Sequence, residues 1–580
     1  MARRTPKRKT DLGTIVLHWT LVATLVVCAL TGLRIAADAP DADTLRMLSA
    51  ILPAENVWKL HIIAGVGLMM VALAYAIYMR MSGLTQRVKL DGARLSRFTS
   101  APWSILNVLL HWLLFALIVT QVITGILLHR GFGGAIVELH LFATWMILLY
   151  VPAHLGSHVA YGGMEQLLRV IRPSAIAANA SGAGPKPRIP NRARIAILTL
   201  LAGVAACISW FQADRMSRDV LTIAHVDVAP PVTGDLTHAA WRAATPLVVR
   251  TQQGGNLDEI GESNVEIRAL HDGENAYFAF TWQDSTRSAA HFPLFKGNDG
   301  WHVLMYESQT RRAPMAPADE ARRNSPVFEG AYAEDKFSVM LAASPKPFGP
   351  GAFHPSPKPL EDKPASSSGR GLHYTTDGSF VDAWMWHAAL GSSAGRCEVD
   401  RIGGPQPANE TQLAGLAPYH GGIVGDPAKA VISDNYRQLS NQSGAPVTPR
   451  RLPVNLASSA EISGPLPAAS DQGVGENTRW AMTETESVPY TAAQDAAIPV
   501  GTVIPGLLIP KSAPLDSSDV LCAAHWAANR WTLTARRKLH TGNTASIPIQ
   551  KGTSMFVAVF DHTAARHTRH IRPIKLEIAR

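Results

Sequence analysis

Four times within the first 160 residues, apolar side chains run for about 20 positions with almost no charge, the length of helix needed to cross a bilayer core. Such runs leave the backbone few solutions, because hydrocarbon offers no partner for an unpaired N–H or C=O. They extend from about Leu12 to Leu33, Val57 to Met79, Ile105 to Leu128 and Ile136 to Val159. A fifth, IAILTLLAGVAACISWF from Ile195, is shorter but uncharged. Five transmembrane helices are predicted. The first lacks the small-residue cleavage pattern of a removable signal peptide, so it is expected to stay in the mature chain.

The runs are related in pairs. LHWTLVATLVVCALTG, from Leu17, returns as LHWLLFALIVTQVITG, from Leu110, with the same spacing from His18 to Gly32 as from His111 to Gly125. KLHIIAGVGLMMVALAYAIY from Lys59 and ELHLFATWMILLYVPAHLGS from Glu138 likewise both open on a Leu-His pair. This is the signature of an internal duplication whose unit is a helix pair with a histidine near the start of each member.

Charge orients the helices. Lys and Arg collect in MARRTPKRK, between Arg80 and Arg97, and in the stretch holding Arg169, Arg172, Lys186, Arg188, Arg192 and Arg194. By the positive-inside rule these segments, with the N-terminus, are cytoplasmic. The first intervening loop carries Asp38, Asp41, Asp43 and Glu55, which fits the outer side. Five crossings then leave everything after about Gln212 outside the cytoplasm. These flanks account for part of the net charge of +9, and no basic stripe with interleaved aromatics points to nucleic acid, so lipid is the expected surface partner. Of four cysteines, Cys397 and Cys522 fall in the exported part, where a disulfide between them is chemically allowed. No C-x-x-C-H occurs, which argues against covalently attached c-type haem.

The membrane part holds seven histidines, and ionisable groups at that depth are costly. Alternating helix direction puts His18 and His111 near the cytoplasmic ends of the first and third helices, and His61 and His140 near the outer ends of the second and fourth. His154 follows His140 by fourteen residues, nearly four turns, so both point the same way about 21 Å apart. Two stacked pairs follow, His61 with His140 outside and His18 with His154 inside. Each suits a bis-histidine haem, with Gly32, Ala64, Gly65, Gly67 and Gly125 as small neighbours for a flat macrocycle. His111 competes with His18 for the inner position and is read as a quinone-site or supporting residue. His129 and His158 are read as interfacial, and Trp19 and Trp112 as belt anchors.

Across about residues 10 to 175 these segments, including the two-histidine fourth helix, resemble the four-helix di-haem cytochrome b family of bacterial membranes. That family includes the cytochrome b subunits of nickel-iron hydrogenases and formate dehydrogenases. The resemblance implies two b-type haems with His18, His61, His140 and His154 as iron ligands. It further implies a place in the bacterial cytoplasmic (inner) membrane and electron exchange between a quinone pool and a partner at the outer face.

From Asp214 onward the chain changes to short alternating segments separated by turn signals, such as NVEIRALHDGENAYFAFTWQD, and reads as an all-β, sandwich-like domain. A stretch rich in Pro, Ala, Ser, Gly and Asn from about 405 to 514 is expected to be loops draped over it. The domains are therefore 1–175, a linker and fifth helix over 176–213, and an extracytoplasmic, periplasmic 214–580. HFPLFKGNDGWHVL, YAEDKFSVML, GSFVDAWMWHA and NRWTLTARRKLHTG followed by FVAVFDH look like the haem-binding domain related to the γ subunit of ethylbenzene dehydrogenase. That resemblance implies a third b-type haem. The γ subunit ligates iron with methionine and lysine, whereas WTLTARRKL offers Arg536 and Arg537 before Lys538, and arginine stays protonated. His373 is the first candidate ligand, followed by His525, Met385 and Lys538.

No Gly-x-Ser-x-Gly, His-Glu-x-x-His or phosphate-binding glycine loop occurs, so hydrolytic chemistry is not expected. The leading reading is an electron-transfer subunit of a respiratory oxidoreductase, linking quinol to an extracytoplasmic redox protein. The alternatives are a redox or ligand sensor with a small-molecule-binding sandwich, and a plain structural anchor.

Overall fold

The computed structural model describes residues 11–37, 47–48, 51–53, 57–92, 102–168, 170–171, 192–252, 257, 261–304, 332–344, 363, 372–375, 378–391, 395–417, 419–425, 430–439, 445–463, 479–511, 516, 519–544, 546–563, 567–568, 570 and 572–579. The basic stretch MARRTPKRK, Arg97, Arg169, Arg172, Lys186 and Arg188 lie outside these residues, as do the acidic residues Asp38, Asp41, Asp43 and Glu55. The chain divides into two compact units, the first dominated by Val57–Ser217 with the N-terminal helix, the second by Arg218–Arg580.

The first unit contains helices α1 (Leu12–Ala37), α2 (Val57–Met81), α3 (Pro102–His129), α4 (Ala135–Leu168) and α5 (Arg192–Met216). All five are long and apolar enough to cross a membrane. Asp11 caps α1 by accepting from the Thr14 backbone N–H at 2.9 Å. Leu21, Leu68, Val71, Leu110, Leu114, Ile118 and Tyr150 make one buried cluster, so α1 to α4 enclose a common core. Ala74 and Tyr78 of α2 pack with Ile195 and Ala196 of α5. Leu73, Phe142, Leu149, Leu198, Leu201 and Val204 face outward, the all-round apolarity of a helix bathed in lipid.

The second unit is built on twelve strands: β1 (Val220–His225), β2 (Leu247–Thr251), β3 (Ser263–His271), β4 (Asn275–Gln283), β5 (Lys336–Ala342), β6 (Val381–His387), β7 (Glu398–Ile402), β8 (Ile423–Gly425), β9 (Leu521–Trp526), β10 (Arg530–Lys538), β11 (Ser554–Phe560) and β12 (Ile574–Ile578). Their order is β8-β7-β6-β5-β11-β12-β1-β3-β4-β10-β9, with β2 on β3. β1 is the switch: Val220–Ile223 run parallel to β12, and Ala224–His225 run parallel to β3. The path folds there into two facing sheets, the sandwich that the alternating pattern predicts.

Period-two alternation puts Phe278, Phe280 and Trp282 of β4 on one face. There they meet Phe337 of β5 and Trp384 and Trp386 of β6, with Trp282 stacked 4.7 Å from Phe337. Cys397 and Cys522 lie in this core and are bridged, joining the start of β7 to β9 across 125 residues. Closing a loop of that length removes on the order of 4–5 kcal/mol of denatured-state entropy. The described residues between 405 and 514 hold more regular structure than a draped loop. Tyr436–Gln438, Val447–Pro449 and Val503–Ile504 pair with Trp301–Val303 and Leu294–Lys296 in a small sheet with its own apolar cluster.

Buried charge holds the two sheets in register. Arg537, the residue that departs from a lysine pattern, is 1% exposed and donates to Asp382 at 2.8 Å and to the Ile547 carbonyl at 2.7 Å. Asp382 also accepts from Trp384 Nε1 and the Ile547 N–H. Removing one member strands a charge in the core, so Arg537→Met should cost about 3–5 kcal/mol in chemical denaturation followed by tryptophan fluorescence. Adding Asp382→Asn to it should recover part of that loss.

A second network centres on Glu334, fully buried, with His387 Nδ1 at 2.7 Å and His291 Nδ1 at 2.9 Å. Burial opposes the charge on His387, but Glu334 outweighs it by charge and hydrogen bond, and Glu398 adds to this, so the imidazolium persists to about 9. A folded-state value above the ordinary histidine range gives stability that is complete below about pH 6.5 and lost as pH rises through about 9. Denaturation midpoints across that window should fall for the native chain, and His387→Gln should flatten the profile.

Candidate haem-binding site

The Thr-Gly at the end of each repeat meets a histidine on the next helix. Thr31 Oγ1 lies 2.9 Å from His61 Nδ1, and Thr124 Oγ1 lies 2.7 Å from His140 Nδ1. Each threonine hydroxyl also donates one turn back, Thr31 to the Val27 carbonyl and Thr124 to the Thr120 carbonyl. A hydroxyl has one proton. With it committed to the backbone, the oxygen can only accept, so each histidine carries its proton on Nδ1 and keeps the Nε2 lone pair for a metal. The first of the adjoining glycines makes room. A Cβ on Gly32 would come within a tight 3.0 Å of His61 Cε1, whereas one on Gly125 would meet His140 Cε1 at an ordinary contact distance of 3.6 Å.

His61 and His140 face each other with ring centroids 6.2 Å apart. Imidazole–metal bonds of roughly 2 Å, plus about 1 Å from nitrogen to ring centre, need a separation of about 6 Å for two rings to reach one iron from opposite sides. Both line one apolar pocket, with Gly65, Gly125, Gln121 and Trp210 in its wall. Gln121 braces the second ligand by donating to the His140 carbonyl at 2.9 Å and to Thr144 at 2.7 Å. Donor set, separation and an apolar lining suit a haem.

At the other end of α4, His154 stacks on Tyr150 at 5.1 Å and meets His111 at 5.2 Å and His158 at 4.5 Å. One ring nitrogen from each of these three histidines lies within 4.8 Å of the others. His18 stands within electrostatic reach of both His111 and His154. His111 Nδ1 is 2.5 Å from the Asn107 carbonyl, which can only accept, so His111 also keeps a free Nε2. The buried His154 Nδ1 has no hydrogen-bond partner. The structure thus joins His154 to His111 by direct ring contact, with His18 as a further neighbour.

Other residues occupy positions that spacing alone does not reveal. His158 belongs to this inner cluster, and His129 lies 3.0 Å from Asp214 near the end of α5. Trp19 and Trp112 follow the duplication, donating to the carbonyls of Val170 and Val88, which follow α4 and α2 respectively. In the second unit, His373, His525, Met385 and Lys538 stand on separate elements. His373 packs 5.9 Å from His567, His525 pairs with Thr532 across β9 and β10, and Met385 lies on β6 opposite Ser338. Lys538 is half-exposed and paired with Glu274 at 2.8 Å.

No curated protein matches the chain. Solved structures that align include a carbohydrate-binding module of family 9 from Caldicellulosiruptor kristjanssonii in complex with glucose, at 7% identity, 62% of this chain, 96% of that one and a TM-score of 0.21. A putative carbohydrate-binding protein from Bacteroides uniformis aligns at 7% identity over 63% of this chain and all of its own, with a TM-score of 0.24. At those scores neither bears on fold or function here. Two family matches do. Residues 9–173, which contain all the paired histidines, match the prokaryotic cytochrome b561 family, which binds haem b and transfers electrons in membranes. Residues 238–572 match the ethylbenzene dehydrogenase family over more than half of the 580 residues. The chain therefore belongs to the ethylbenzene dehydrogenase family and carries a prokaryotic cytochrome b561 module as its membrane part, a b-type cytochrome of electron transfer.

Proposed function

We propose that the protein moves electrons between the quinone pool and an extracytoplasmic redox partner through two haems in the helix bundle. The observation that carries this reading is the duplicated threonine–histidine pair, which leaves a free Nε2 on each of two histidines whose rings lie 6.2 Å apart in the wall of one apolar pocket. A haem bound there accepts and releases one electron at a time. His61 and His140 would hold the haem iron, Thr31 and Thr124 fix their tautomers, and Gly32 lets the His61 imidazole lie close to α1. The inner haem rests on His154, with His18 as the partner that resemblance favours and His111 as the partner that ring contact favours.

His140→Ala should remove one haem and His154→Ala the other, read as pyridine haemochrome per chain. The partner of His154 is whichever of His18→Ala and His111→Ala also loses a haem. Thr31→Val and Thr124→Val should each weaken haem retention by about 10–100-fold and move the reduction potential, while leaving the ligands in place.

The second unit adds a third haem in this reading. His373, His567 and His570 gather over one face of β11, with His567 at 4.9 Å from Phe560 and His570 at 5.2 Å from Phe556. Burial, with Arg572 beside it, pushes His570 down to about 3, so its imidazole is neutral, as iron ligation requires, and its buried Nδ1 has no partner. The full chain should then carry three haems, and His373→Ala or His570→Ala should leave two. A native chain with two haems would instead favour a sensing role for the sandwich.

The Cys397–Cys522 bridge and the basic cytoplasmic flanks support export of the second unit. A reporter active only after export should be active when fused to Arg580 and inactive in the loop after Arg80. The reverse pattern would invert the topology.

A further inference from the structure

One end of the sandwich gathers three buried carboxylates and a histidine. Asp284 follows β4, Asp335 precedes β5, and Asp561 and His562 follow β11, so the two facing sheets contribute to one spot. The three aspartates are 2%, 0% and 4% exposed. One ligand atom from each of Asp335, Asp561 and His562 lies within 4.8 Å of the others. Asp335 accepts from the Ser288 N–H at 2.7 Å, from Trp531 Nε1 at 3.2 Å and from the His562 N–H at 3.2 Å. Asp561 meets His562 Nδ1 at 2.5 Å and accepts from the Leu257 N–H. His562 Nε2 contacts the Ser288 hydroxyl.

Asp284 supplies the independent observation. Its Oδ1 accepts from Thr286 N–H and Oγ1, and that hydroxyl reaches His562 Nδ1 at 3.4 Å, which sets Asp284 beside the cluster. Its other oxygen, Oδ2, is buried with no hydrogen-bond partner. A buried carboxylate oxygen left unpaired is costly, and a coordinated cation is one of the few ways to satisfy it.

We propose that Asp335, Asp561 and His562, with Asp284 beside them, bind a hard divalent cation, Ca²⁺ or Mn²⁺, which ties the two sheets together at this end. Carboxylate oxygens outnumber nitrogen here and no thiolate is present in the set, which separates it from the nitrogen- and sulfur-rich sites that hold zinc. The site is structural, and its effect is a folded state stabilised by mass action.

The test uses the full haem-loaded chain in detergent, stripped with EDTA and titrated separately with CaCl₂, MnCl₂ and ZnCl₂. Tb³⁺ serves as a luminescent stand-in, because Trp531 touches Asp335 and can sensitise it. About one Ca²⁺ or Mn²⁺ per chain is expected, with Tb³⁺ emission excited through tryptophan, competed away by Ca²⁺, and a rise in the unfolding temperature of the second unit. Asp561→Asn and Asp284→Asn should each weaken binding by roughly tenfold or more. Asp284→Asn keeps the size of the side chain and removes an oxygen that makes no hydrogen bond, so it reads out binding even if Asp561→Asn fails to fold. Unchanged haem content and a protected Cys397–Cys522 bridge report an intact chain. Binding of neither Ca²⁺ nor Mn²⁺, binding of Zn²⁺ alone, or unaltered affinity in folded Asp284→Asn would overturn the proposal and leave the cluster as protonated carboxyls.

Discussion

Everything in the membrane unit depends on how an imidazole is made tolerable among apolar helices. Its two nitrogens pose different problems, since one carries a proton that must be accepted and the other a lone pair that must be used. Thr31 and Thr124 solve the first problem with an oxygen whose own proton is already given to a carbonyl one turn back. That commitment makes the hydroxyl an acceptor and fixes the tautomer of His61 and His140 without any charged group. The second nitrogen is then directed, in both halves, at the same space. Two copies of one helix pair thus produce a site that neither copy holds alone.

The duplication explains more than the ligands. Trp19 and Trp112 satisfy carbonyls beyond the ends of α4 and α2, so each helix that opens on His-Trp is tied to a helix of the other half. Within each half, the Thr-Gly end ties the first helix to the second. The symmetry weakens at the inner cluster. His154 has no counterpart in α2, where Tyr75 occupies the equivalent position, so the inner site is not generated by repetition. There His111 lies in ring contact with His154, while its repeat mate His18 acts at longer range.

What could be read in the sequence follows from how local each signal is. Helix spans depend on runs of about 20 apolar residues and were visible as such. The His61 and His140 apposition was visible because helix direction and rise fix depth. The role of the Thr-Gly ends was hidden, although the residues were conspicuous, because a side-chain partner on the next helix depends on rotation about the axis and on packing. In the second unit the alternating strands were legible, but Arg537 stood out only as a departure from a lysine pattern. Its function as the tie to Asp382 needs two sheets, brought face to face by the β1 switch. His567 and His570 follow β11 in an irregular segment, where spacing carries no periodic signal to mark them beside His373.

The two units meet one demand by different means. A polar group removed from water has to find its complement inside the protein. For His61, His140 and His111 the complement is a neutral hydroxyl or a backbone carbonyl, because a charge in hydrocarbon would cost more than the imidazole it serves. In the sandwich the complements are charges: Arg537 answers Asp382, and Glu334 lies between His387 and His291. Both of those sets are balanced by groups of the chain itself. The aspartates at the end of the core differ, because there Asp284 keeps a buried carboxylate oxygen with no hydrogen-bond partner. Where Arg537 and Glu334 meet opposite charges of the chain itself, a proton or a cation is what would complete that oxygen.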